Sequence, residues 1–125
     1  MIVNQLVNST DVDVPELVFT STDTGGTVAS GGVEQSNAIT TMVLCNTAAA
    51  NLTDETINSV TVSVYLVPKG DSFGDSNKIV SSLIVPAGET VFFSDEKFIL
   101  SGGDEIYVGT SSANDIAFTV SVLEV

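Results

Sequence analysis

The side chains able to do chemistry are almost all carboxylates. Asp and Glu number 16, against three lysines and no arginine or histidine. Close carboxylate pairs occur at Asp71 and Asp75, at Asp95 and Glu96, and at Asp104 and Glu105. Two carboxylates can divide acid and base work in a glycosidase. All three pairs, however, sit among turn residues, where Asp is favoured for bonding its own local backbone. A sugar-cleaving cleft would also offer Trp for stacking, and there is none. General base work near neutral pH falls most often to His, which is missing too. The single cysteine, Cys45, lies in the apolar run Met42-Val43-Leu44-Cys45. With no histidine to activate it, it reads as a small packed hydrophobe rather than a nucleophile. No catalytic residue is assigned, and the chain is expected not to be an enzyme.

Metal and phosphate chemistry find equally little. Transition-metal sites need clustered His or Cys. The one ion worth naming is calcium, with Asp71, Asp75 and Asn77 as candidate oxygen ligands in Asp71-Ser72-Phe73-Gly74-Asp75-Ser76-Asn77. That loop lacks the EF-hand spacing, so a plain acidic turn is the preferred reading and no cofactor is expected. Gly25-Gly26 and Gly102-Gly103 precede neither a lysine nor a helix start, so they read as turn glycines rather than phosphate loops. Tyr65, Tyr107 and Phe73 are the candidates to flank a sugar-binding groove, although both tyrosines read more simply as strand residues.

The net charge of −13 narrows the partners. Nucleic-acid affinity comes mainly from Lys and Arg, and an anionic membrane would repel such a chain. Neither partner is expected; the acidity suits solubility or a basic protein surface. The single cysteine excludes an intrachain disulfide. The opening Met1-Ile2-Val3-Asn4-Gln5-Leu6-Val7 lacks a basic segment and a long apolar run, so no secretory leader is expected. Asn8-Ser9-Thr10 and Asn51-Leu52-Thr53 then match the glycosylation pattern by chance.

The elements that must carry these residues read as strands. The 125 residues make one domain. Val60, Val62, Val64 and Leu66 alternate with Thr61, Ser63 and Tyr65; period two sends the first set into a core. Pro68-Lys69-Gly70-Asp71 ends that strand. Further strands are expected over 37–45, 79–85, 90–94, 105–110 and 116–125, with an early one at Leu17 to Thr22. That makes about seven, the number in an immunoglobulin-like sandwich. Thr47 to Thr56 could form one helical turn or a loop. The expected fold is all-β: an immunoglobulin-like or jelly-roll-type antiparallel sandwich with an extended N-terminal arm.

Texture divides the chain into residues 1–35, an arm or first strand, and residues 36–125, the sandwich core. Ile2, Val3, Leu6, Val7, Val12 and Val14 would be awkward on a free arm. They are the expected interface, buried against a neighbouring subunit.

The second half also resembles small structural proteins of tailed bacteriophages, especially those of marine and cyanobacterial hosts. The resemblance runs from Val62-Ser63-Val64-Tyr65-Leu66-Val67-Pro68-Lys69-Gly70 through Val85-Pro86-Ala87-Gly88-Glu89-Thr90. It continues through Lys97-Phe98-Ile99-Leu100 and Gly102-Gly103-Asp104-Glu105-Ile106-Tyr107-Val108 to the terminal Val120-Ser121-Val122-Leu123-Glu124-Val125. It is a pattern of turns and strands covering about half the chain, and carries no active site. It implies a virion component: a capsid decoration protein binding the major capsid protein or copies of itself on the capsid surface, with trimers common in such proteins. A tail, collar or fibre-adaptor module is the alternative, and a carbohydrate- or host-surface-binding sandwich a further one.

Overall fold

Alternation decides which residues face inward. In the computed structural model, which describes residues 1–21, 36–94 and 97–124, Ile116, Phe118, Val120 and Val122 are buried along one strand, with Ala117, Thr119 and Ser121 turned the other way. Nine strands form among the described residues: β1 (Ile2–Leu6), β2 (Glu16–Thr20), β3 (Ser36–Asn46), β4 (Val60–Val67), β5 (Lys78–Val85), β6 (Thr90–Phe93), β7 (Phe98–Ser101), β8 (Glu105–Thr110) and β9 (Ile116–Glu124). A short 3-10 turn at Asp75–Asn77 leads into β5. Thr47 to Thr56 is a loop, in which the Asn51 carboxamide accepts the N–H groups of Thr53 and Asp54.

Every strand pair is antiparallel, and the pairs nest. β1 pairs β9, β2 pairs β8, β3 pairs both β6 and β7, and β4 pairs β5. The chain is therefore one long hairpin with β4 and β5 at its tip. Rolling that hairpin up adds the ladders β3 to β9 and β4 to β8. Two sheets result: β1-β9-β3-β6 with β7 also on β3, and β2-β8-β4-β5. A rolled double-sheet hairpin of this kind is a jelly roll, which resolves the two sandwich types expected from sequence. β6 and β7 run in line along one edge of β3, Thr90 to Phe93 opposite Cys45 to Met42 and Phe98 to Ser101 opposite Ile39 to Ser36. They are one interrupted strand. At the interruption the Lys97 ammonium donates to the carbonyls of Thr40 and Ser94.

The core lies between the sheets. Phe118, Ile39, Met42, Leu44, Ile106 and Ile116 fill it with the valines of β4 and β8. Buried polar groups are paired: the Asn46 amide donates to the Asn58 and Val85 carbonyls, and the Asn37 amide to the Ser21 hydroxyl.

The leading segment differs from the expected arm. β1 pairs β9 from Ile2 opposite Ser121 to Leu6 opposite Ala117, and Val7 is 0% exposed in the core. β2 places Val18 and Phe19 in the same core. Residues 1–7 and 16–21 are thus part of the sandwich, and its boundary is not at residue 36. An edge strand pairs one row of its backbone groups on the neighbouring strand and gives the other row to its surroundings. Residues 22–35 of the expected arm, including Gly25 and Gly26, lie outside the described residues, as do Asp95, Glu96 and Val125.

Candidate docking face

The two sheets turn very different outer faces to their surroundings. On the β2-β8-β4-β5 sheet the outward residues of β4 and β8 are largely covered, while Leu17 on β2 and Ile79 and Ile84 on β5 stay exposed. Residues 8–15, which link β1 to β2, cross over it. The Tyr65 hydroxyl donates to the Val12 carbonyl at 2.9 Å. The Thr110 hydroxyl donates to the Ser9 carbonyl at 2.7 Å, and the Ser9 hydroxyl oxygen accepts the Thr110 N–H. Beneath this strap Tyr65 and Gly109 are buried although they point away from the core, and Ser63 beside them is buried with its hydroxyl oxygen accepting the Ser82 N–H. Phe73 closes the adjoining surface, its ring centroid 5.9 Å from that of Tyr65 and 5.4 Å from that of Tyr107. Lys78 lies over the Tyr65 ring at 5.4 Å and reaches Asp75 at 3.4 Å and Asp13 at 3.9 Å.

Nothing crosses the other sheet among the described residues. Its outward side chains can be read from the registers. β1 offers Ile2, Asn4 and Leu6; β9 offers Ala117, Thr119, Ser121 and Leu123. β3 offers Ala38, Thr41, Val43 and Cys45, opposite Ile99 on β7 and Phe92 and Thr90 on β6. The large residues stand well out: Ile2 is 68% exposed, Ile99 67% and Phe92 66%. The middle strands β9 and β3 carry mostly small residues, so a flat centre is flanked by bulky edges.

Charge separates the faces further. The described acidic residues are Asp11, Asp13, Glu16, Asp54, Glu55, Asp71, Asp75, Glu89, Asp104, Glu105, Asp115 and Glu124. None is an outward residue of β1, β3, β6, β7 or β9. Glu124 alternates with Leu123 to the other side, opposite the buried Asn37. In a chain of net charge −13, the described outward residues of this sheet carry no acid.

The expected interface residues separate. Ile2 and Leu6 are on this face and exposed; Val3 is half-buried and packs against the core. Val7 is wholly buried, which corrects its assignment as an interface residue. Val12 and Val14 lie in the strap over the opposite sheet. Period-two reading of β3 and β9 would have found the rest of the face, because it is the complement of the core stripe.

Of the acidic pairs, Asp104 serves a turn. The Asp104 carboxylate accepts the N–H groups of Lys69 and Ser101, both at 2.9 Å. In the calcium candidate loop, the Asn77 carbonyl oxygen accepts the Gly74 N–H and its amide donates to the Ser72 carbonyl. Asp75 faces Lys78 instead. Among the described residues no three acidic, His or Cys groups come together. A cleft of about 80 Å³ lined by Leu66, Val67, Pro68, Leu100 and Asp104 falls well short of the roughly 300–1,000 Å³ typical of ligand pockets.

Fold and surface together define an acidic jelly-roll domain with one sheet partly covered by a strap and one open sheet face whose described outward residues carry no acid. Compared with known proteins, the sequence matches no protein-family model and no curated protein.

Proposed function

We propose that this chain is a structural protein of a tailed-phage particle, a decoration protein on the outer surface of the head. It acts by binding protein neighbours, the major capsid protein and copies of itself, and does no catalysis. The observation that carries this reading is the outer face of the β1-β9-β3-β6 sheet, where the described outward residues carry no acid and Ile2, Leu6, Phe92, Ile99 and Leu123 stand exposed. A large exposed apolar patch rimmed by polar residues marks an interaction surface. The charged remainder suits the solvent side of a particle and disfavours contact with packaged DNA. The turn-and-strand resemblance over the second half of the chain supplies the class of particle. The test is to separate heads from tails and count copies by quantitative mass spectrometry. The reading expects the chain on heads at a copy number of the order of the capsid subunit. A few copies on tails would replace it with the tail or collar reading, and absence from both would end it.

The Tyr65, Phe73 and Tyr107 rings favour a second reading, a carbohydrate-binding module, because Phe73 stays partly exposed beside Tyr107. That reading expects glycan-array binding lost in Phe73→Ala. No binding by the wild-type protein removes it.

A further inference from the structure

We propose that the ring cluster on the β2-β8-β4-β5 sheet binds a neutral oligosaccharide lying across the surface. This rests on the carbohydrate reading of those rings and names the ligand class. The two tyrosines and six phenylalanines of the chain all lie among the described residues, and three of these rings meet here. Phe73 leans on Tyr65 and Tyr107, its plane at 62° and 50° to theirs. Tyr65 is itself fixed, buried and bonded to the Val12 carbonyl. Phe73 is nevertheless 41% exposed. An apolar ring held on one side and wet on the other meets a ligand with little ordering left to do. The electron-rich face of such a ring attracts weakly positive C–H groups, and these line one face of a pyranose.

Polar groups flank the rings. Glu105, two residues before Tyr107 on β8, accepts its phenol hydrogen, and a carboxylate has lone pairs for further donors. Two residues beyond Phe73, the exposed Asp75 carboxylate is steadied by Lys78 at 3.4 Å, and Lys78 stands over the Tyr65 ring. Both carboxylates suit the hydroxyl donors of a sugar. Charge sets the class. With three lysines, no arginine or histidine and a net charge of −13, the molecule opposes sulfated, sialylated or uronic ligands. Position sets the length, because a chain of sugars crossing an open sheet surface makes more contact than a single sugar.

Both tyrosines belong to the cluster and there is no tryptophan, so tyrosine emission reports on this site. The experiment titrates the full chain with neutral gluco-, galacto- and manno-oligosaccharides, and with polyuronic and sialylated ones, following emission and calorimetric heat together. The expected result is a change in emission with a neutral oligosaccharide and binding of the anionic ones about 10-fold weaker or less. Phe73→Ala should weaken binding about 10-fold and Phe73→Tyr should keep it. Asp75→Lys should narrow the preference against anionic sugars. Anionic sugars bound as well as neutral ones, heat without a change in emission, or Phe73→Ala binding like the wild type would overturn the proposal and leave carbohydrate binding elsewhere on the chain standing. No binding to any of the sugars would end the carbohydrate reading with it. Head-or-tail location is read separately and is untouched by either result.

Discussion

A Cβ on Gly109 would stand 2.8 Å from the Val12 carbonyl carbon and closer to its oxygen. Here the strap of residues 8–15 lies flat on β8, and only a missing side chain permits the approach. Gly109→Ala should lift the strap, strain the bond from Tyr65 to Val12, and cost about 1–3 kcal/mol. Chemical denaturation would register this as a lower midpoint. An unchanged midpoint would mean that the strap yields freely and does not hold the sheet. Tyr107 gives a pH prediction. Burial, then the charge of Glu105 and its hydrogen bond with the phenol, raise the Tyr107 pKa above the ordinary tyrosine value. The folded state therefore holds this proton more tightly than the unfolded chain. The stability so gained is complete below pH about 10 and is lost as pH rises through the folded value. The stability of the wild type relative to Tyr107→Phe should decline over that alkaline range. A difference that stays constant with pH would contradict the assigned shift.

At the scale of elements, strands in which small apolar residues alternate with polar ones are the legible ones. Val60, Val62 and Val64 alternate with polar residues, and β4 forms where that pattern places it. β1 and β7 hide for opposite reasons. In β1 the apolar Ile2 and Leu6 face outward while Gln5 faces in, so alternation carries no inward signal. In β7 Phe98, Ile99 and Leu100 are apolar on both sides, and Lys97 and the preceding acids interrupt the run. Burial of Tyr65 was not legible either, because a distant strap covers it. The open face is written in the sequence, but it becomes a face only when β1, β9, β3 and β6 are known to be neighbours. The placement of β1 makes its own prediction. Deleting residues 1–7 removes an edge strand and the buried Val7. The melting temperature should drop by more than about 10 °C, several kcal/mol for a domain of this size. A truncated chain melting within a few degrees of the full one would return residues 1–7 to the status of an arm.

On the scale of the whole molecule, charge acts against the fold that presents the face. Sixteen acids meet three lysines; Lys78 pairs with Asp75 and Asp13, and Lys97 donates to backbone carbonyls. The remaining carboxylates repel one another across the surface, and the unfolded chain relieves that repulsion by expanding. Screening should therefore stabilise the monomer even without any ion binding. Raising NaCl from about 0.02 to 0.5 M shrinks the screening length from above 10 Å to a few ångströms. If this recovers about 1 kcal/mol, melting should rise by roughly 3–6 °C. Salt also strengthens apolar burial, so a charge variant must separate the two causes. Glu55→Lys with Asp71→Lys, both in exposed loops, brings the net charge from −13 to −9, since each replacement adds two. The double variant should melt higher than wild type at low salt and gain less from added NaCl. Equal salt gains in both proteins would assign the effect to apolar burial, and repulsion would then have no part in setting the stability. Phe92→Asp in the same series, which puts a charge on the open sheet face, keeps self-association through that face from contributing to the measured rise.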